Sequence, residues 1–229
     1  MSKSQSQAVR PKRNSWIEAI DAFRLEHTAA LLKPLADLDA NKRHDVFNLA
    51  ALPVVILATF AFVTGRIGFP MLLAASYSYF LADLLWVWMD PSCVKSPGVI
   101  AGHHLLTLGY MLLPAFDPSL REYMAWCLTV EINTFFLILR RLWRRKVVSV
   151  CFYVTWITIR LCLYPALVVE FANLYAEQLR RGRYVHHLAL PPLLQGVLCL
   201  LNIKWTIDLV RSKISMLRDQ KSYQPSKGL

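Results

Sequence analysis

Long apolar runs, each close to the ~20 residues a helix needs to cross a bilayer, set the limits on what this chain can fold into. They are approximately Asn48–Thr64, Gly68–Met89, Gly98–Phe116, Glu122–Leu139, Val147–Glu170 and His187–Val210. Gly65-Arg66, Asp90-Pro91, Asp117-Pro118 and Arg140–Lys146 supply the breaks between them. The apolar residues lie all round these segments rather than on one stripe, so a protein of this size in water could not hide them. Lipid must be their solvent, and there a helix succeeds because it satisfies its own backbone groups. The composition agrees: 55% of the 229 residues are hydrophobic, against ~45–50% in soluble domains. The expected fold is an all-α membrane protein with about six transmembrane helices. The first and third connections are short enough to require tight antiparallel hairpins, and Pro191-Pro192 is expected to kink the last span.

A net charge of +11 would suit nucleic acid, but its distribution argues against that partner. Lys and Arg crowd the N-terminal segment, the Arg140–Lys146 loop and the C-terminal tail. Alternate loops are thus basic, which is the signature of membrane topology and puts both termini in the cytosol. The N-terminus lacks the apolar stretch of a cleavable signal. Ser15 and Glu18 form a capping box ahead of Trp16, Ile20, Phe23 and Leu31, which predicts an N-terminal amphipathic helix on the cytosolic membrane surface. The chain therefore divides into residues 1–45 (polar tail and amphipathic helix), 46–211 (membrane domain) and 212–229 (basic tail). Cys127, Cys151, Cys162 and Cys199 lie inside apolar runs and Cys93 in a short loop. They show no metal-ligand spacing and read as reduced structural residues, with no metal site.

Function is sought in the polar residues within the spans. An ionisable group there costs roughly 2.5–3.5 kcal/mol on insertion, so each is a candidate by default. They are Asp83, His103, His104, Glu131, Arg160, Lys204 and Asp208. Helical spacing groups them further. His103, Thr107 and Tyr110 form one stripe. Glu131 and Thr134 share a face, with Asn133 beside them, and Tyr153, Trp156, Arg160 and Tyr164 line one side of the fifth span. Most of these groups are expected to meet in a cavity open toward the cytosol. Lys204 and Asp208 read as a snorkelling pair near the interface, and Glu131 and Arg160 as catalytic and binding groups or as an interhelical ion pair.

The segments YSYFLADLLW, GVIAGHHLLTLGYMLLP, EINTFFLILRRLW and FYVTWITIRLCLYPALVV together resemble the TLC domain. Ceramide synthases, the TRAM translocon protein, the ceroid-lipofuscinosis endoplasmic reticulum cargo receptor and several small lipid-related membrane proteins share this domain. The resemblance implies a barrel-like six-helix bundle in the endoplasmic reticulum or a related endomembrane. In ceramide synthases the matching histidine pair serves acyl transfer from acyl-CoA to a sphingoid amine. Carried over, His103 and His104 are the catalytic pair, oriented by Glu131, while Asp83, Tyr110, Asn133, Tyr153 and Arg160 bind substrate. No bound cofactor is implied, and acyl-CoA would be a co-substrate. Ceramide synthases carry His-Asp and a further Asp where this chain has TVEINT, which brings it nearer the small lipid-related members.

Three functions compete. The first is N-acyl transfer to a lipid amine, a sphingoid base or an aminophospholipid. The second is non-catalytic lipid binding that regulates membrane composition, and the third is a membrane cargo receptor that docks through its basic loop and tails. Membrane lipids are partners in the first two, nucleic acid in none, and self-association is left open.

Overall fold

The computed structural model describes residues 38–222. The expected amphipathic helix over residues 15–32 lies outside them. The first helix, α1 (Ala40–Val63), starts where the Asp39 carboxylate accepts the Lys42 N–H at 2.8 Å, an N-cap that satisfies one of the unpaired donors of the first turn. This cap lies about two turns ahead of the expected start, so His44 and Asp45 belong to the span and not to a loop. Gly65 ends the hairpin turn with φ at 70°, a conformation a side chain would strain, and Arg66 N–H closes back onto the Ala61 carbonyl. The second span is α2 (Phe69–Met89) and the third α3 (Pro97–Phe116).

The last three spans are less regular. The fourth, Pro118–Leu142, divides into α4 (Arg121–Leu128) and α5 (Val130–Leu142) around Thr129. The Thr129 hydroxyl caps the Trp126 carbonyl at 2.6 Å and interrupts the ladder there. In the fifth span, α6 (Lys146–Thr155) passes through a π-helical stretch, Trp156–Leu163, into α7 (Tyr164–Arg180). The sixth opens with a 3-10 turn at His187–Ala189 and continues as α8 (Leu190–Ser222). Pro191 and Pro192 therefore stand in the first turn of α8, where a missing N–H costs nothing. The kink expected from them is replaced by a helix start.

Among the described residues, six helices are long and apolar enough to cross a membrane. Their packing closes a ring in the order one, two, three, six, five, four and back to one, which is the barrel-like bundle that the resemblance implied. Apolar residues fill the core and also cover the outside, and several polar residues are buried with the core. Leu57, Phe60, Leu105, Val150, Val169 and Leu200 point outward and are exposed, while Asn48, Ser76, Asp83, Asn133, Gln195 and Asn202 are almost fully buried. Lipid tails solvate leucine as well as a core does, so the bundle is held by close packing and by hydrogen bonds between helices. Phe152 illustrates the packing contribution. It is completely buried, with the Arg140 guanidinium 4.1 Å above its ring and Trp156 5.4 Å away. Phe152→Ala should destabilise the protein by about 3–5 kcal/mol, read as a lower unfolding midpoint in a fixed detergent.

Candidate functional site

The second and third spans present Asp83 and His104 to each other across the interior. His104 Nε2 lies 2.7 Å from Asp83 Oδ2. The other carboxylate oxygen, Oδ1, takes His44 Nε2 at 2.6 Å and the Asn48 amide at 3.1 Å. Tyr79 O–H completes the cluster by donating to Asn48 Oδ1 at 2.7 Å. His44 and Asn48 stand four residues apart and so face the same way from α1. A carboxylate only accepts, so both imidazoles carry their proton on Nε2. The Nδ1 of His104 is left as a bare lone pair with no hydrogen-bond partner among the described residues. A carboxylate that fixes the tautomer of a histidine and raises the basicity of its other nitrogen is the arrangement used for general-base work.

His103 lies beside this cluster, its ring 5.3 Å from that of His104 and edge-on to Trp205 at 5.5 Å. It lines an interior cavity of about 40 Å³ together with Thr107, Tyr110, Met111, Pro114, Leu120, Met124, Glu131 and Phe171. That volume holds roughly three waters. From His103 to Pro114 the cavity follows the third span for about 16 Å at the helical rise. Its polar end is at His103 and Glu131, and its apolar end lies near the face opposite the chain ends. The cavity is a narrow slot, polar at one end and apolar along most of its length.

A second polar network ties the fourth, fifth and sixth spans. Arg160 donates to Asn133 Oδ1 at 2.6 Å, to Asn202 Oδ1 at 2.8 Å and to Thr134 Oγ1 at 3.1 Å. Trp156 and Trp205 flank its guanidinium at 5.1 and 5.5 Å. Asn133 in turn donates to the Phe152 carbonyl and to Thr155 Oγ1. The wide π turn sets this register. Buried positions along the fifth span fall at Phe152, Trp156, Arg160 and Tyr164, a spacing of four that suits a helix with more than 3.6 residues per turn.

The residues singled out from sequence thus separate into groups. His103, Glu131 and Tyr110 line the cavity, and the Tyr110 hydroxyl is 4.0 Å from Cys127 Sγ. His104 stands directly behind, held by Asp83. Glu131 forms no ion pair with His103, His104 or Arg160 among the described residues, so the carboxylate that orients a histidine here is Asp83. Asn133 and Arg160 belong to the structural network. Tyr153 is turned away: it packs on Phe152 at 5.1 Å and under Arg140 at 5.3 Å, and Phe152, one turn before Trp156, takes the inward place. Lys204 and Asp208 pair at 2.7 Å on the exposed face of α8. His187, beyond the far end of the cavity, bonds Asp117 at 2.7 Å. Partial burial raises the Asp117 pKa, but the hydrogen bonds from His187 and Ser119 outweigh it and hold the carboxyl below its ordinary value.

His44, Asn48, Gln195 and Asn202 were not among the sequence candidates. A longer first span would have brought in His44, whereas Asn48 already stood at the start of the expected span and was passed over as uncharged. The uncharged Gln195 and Asn202 carried a signal that a search for charge passes over. No group of three or more His, Cys, Asp or Glu fit to hold a metal occurs among the described residues. A family model described as the TLC domain matches residues 45–211. No curated protein and no solved structure matches the chain.

Proposed function

The chain belongs to the TLC-domain family, and from that premise we propose that it acts on membrane lipids by transferring an acyl group from acyl-CoA to a lipid amine, at an endomembrane such as the endoplasmic reticulum. The observation that carries this reading is the slot with His103 at its polar end, backed by a histidine that a buried carboxylate holds in one tautomer. Its lining is apolar along most of its length, as the walls of an acyl-chain site would be. Glu131 at the polar end can accept a hydrogen bond from the incoming amine. His103 takes a proton from the amine as its nitrogen attacks the thioester carbonyl. The C–N bond forms and the C–S bond breaks, and the proton passes to the departing thiolate, leaving an amide and free coenzyme A. His104 and Asp83 position and polarise the imidazole that faces the substrate. A sphingoid base and an aminophospholipid both supply the required amine.

The small cavity volume favours one other reading, a lipid-binding protein without turnover, since an acyl chain enters only if the helices part. A single assay separates the two. Purified protein in nanodiscs is given mixed acyl-CoAs with sphingoid bases and aminophospholipids. Wild type should form an amide-linked lipid, and His103→Ala should lower its rate about 10²–10⁴-fold, the range for loss of a general base. Folded wild-type protein that retains lipid and forms no product would establish the binding reading instead.

A further inference from the structure

Buried polar atoms without partners are rare in a bundle whose solvent is hydrocarbon, because each costs the bonds it would have made elsewhere. Among the described residues there are five, of which Gln178 Oε1 stands on the fifth span and the other four gather on two facing helices. On the third span they are His103 Nδ1, His104 Nδ1 and Thr107 Oγ1, and on the sixth Asn202 Nδ2. Thr107 departs from its peers. Thr59, Thr155, Thr158 and Thr206 all donate to the carbonyl four residues back, the ordinary refuge of a helical hydroxyl, and the Thr107 hydroxyl does not. The Asn202 amide orientation is fixed, because Arg160 must donate to its oxygen. Both N–H groups are therefore left over on a side chain only 2% exposed.

These groups share one level of the membrane. The third and sixth spans run antiparallel, and His103 touches Trp205. Stepping one turn along each from that contact brings Thr107 opposite the Leu201–Asn202 step. A further turn brings Tyr110 opposite Leu198, and these two share a core cluster. Around the closed ring the three–six contact is the slightest, and Trp205 fills its width between His103 and Arg160. Resting on the reading that the protein acts on membrane lipids, we infer that the seam between the third and sixth spans is a lateral entrance for lipid. Thr107 and Asn202 form its polar slot and hold an oxygen of the lipid head or ester by hydrogen bonds. The Asn202 amide only donates, so the ligand atom must accept, and the neighbouring guanidinium favours a polarised carbonyl or phosphoryl oxygen.

The test uses the full chain in phosphatidylcholine nanodiscs with a trace of phosphatidylethanolamine that carries a diazirine beside its ester carbonyl. After illumination, labelled peptides are mapped by mass spectrometry. The label should concentrate on peptides from α3 and α8 around Thr107 and Asn202. Thr107→Val removes only an unpartnered hydroxyl, and Asn202→Asp keeps the oxygen that Arg160 needs, so both variants should fold. Each should lower seam labelling about 3–10-fold, the loss of one hydrogen bond inside a membrane protein. Label spread evenly over all six spans, label concentrated at another seam, or seam label unmoved by either variant would overturn the inference. Seam labelling without acyl-transfer product would leave the entrance standing and remove the proposed reaction. Product with no label at the seam would do the reverse.

Discussion

Asp83→Ala is expected to unfold at a far lower temperature than wild type, whereas Asp83→Asn keeps the fold and loses turnover. The carboxylate accepts from His44, His104 and Asn48 inside the bundle, and it is 3% exposed. Alanine leaves three donors on two helices without an acceptor. Each orphan costs about 1–3 kcal/mol in water-soluble cores and nearer 0.6 in a membrane, where the unfolded reference also finds partners. A loss of about 2–5 kcal/mol follows, measured as the unfolding midpoint in detergent. Asparagine preserves shape and offers one acceptor and one donor. The imidazole that meets the donor must switch tautomer, placing its proton on Nδ1, and for His104 this removes the unpartnered Nδ1 lone pair. In a protease triad the same change costs about 10⁴ in rate. A fall of about 10²–10⁴-fold in acyl transfer is therefore expected from Asp83→Asn, with only a small change in midpoint. Equal damage to stability from both variants, with no separate loss of rate, would make the cluster structural alone.

Arg160 should matter most for stability among the cations. Its three hydrogen bonds join the fifth span to the fourth and sixth, at 2.6, 2.8 and 3.1 Å. Arg160→Met removes a desolvated charge, which is favourable in itself, but it leaves the Asn133 and Asn202 oxygens unpaired and unpins the amide whose other end faces the seam. Interhelical bonds in membranes are worth about 0.6–1.7 kcal/mol each, so a net loss of about 2–4 kcal/mol is expected. Arg160→Lys should fall between, because an ammonium cannot reach three acceptors with the planar fork of a guanidinium. Intrinsic fluorescence reports the change, since Trp156 and Trp205 both pack on the guanidinium. A methionine variant as stable as wild type would show that the network contributes specificity of packing and no net energy.

Most of the fold could be read from one-dimensional pattern, because a bilayer imposes a length and a composition on anything that crosses it. That is why the spans, their short hairpins and the TLC-domain resemblance needed only the order of residues. The same logic made His103, His104, Asp83, Glu131 and Arg160 candidates, since ionisable groups in hydrocarbon are costly wherever they point. Local chemistry limited the reading at the edges. The first span looked shorter than it is because Lys42, Arg43, His44 and Asp45 resemble a loop, although Asp39 caps a helix that contains them.

Partnership among those groups was a different matter. A stripe on one helix says which side chains face together, and it says nothing about which helix they face. Asp83 could be assigned to His44 and His104, and Glu131 left apart from both, only once the ring order brought the first three spans together. The fifth span buries Phe152 where Tyr153 was expected, and its π turn, which carries Arg160 across to Asn133 and Asn202, shifts the register beyond it. No local propensity encodes that shift. The sequence by itself determined that this protein lives in lipid and how often it crosses, because solvation of an apolar helix is a property of each segment alone. The tertiary structure decided which polar groups meet, because a hydrogen bond between helices belongs to neither sequence segment and exists only at their distance.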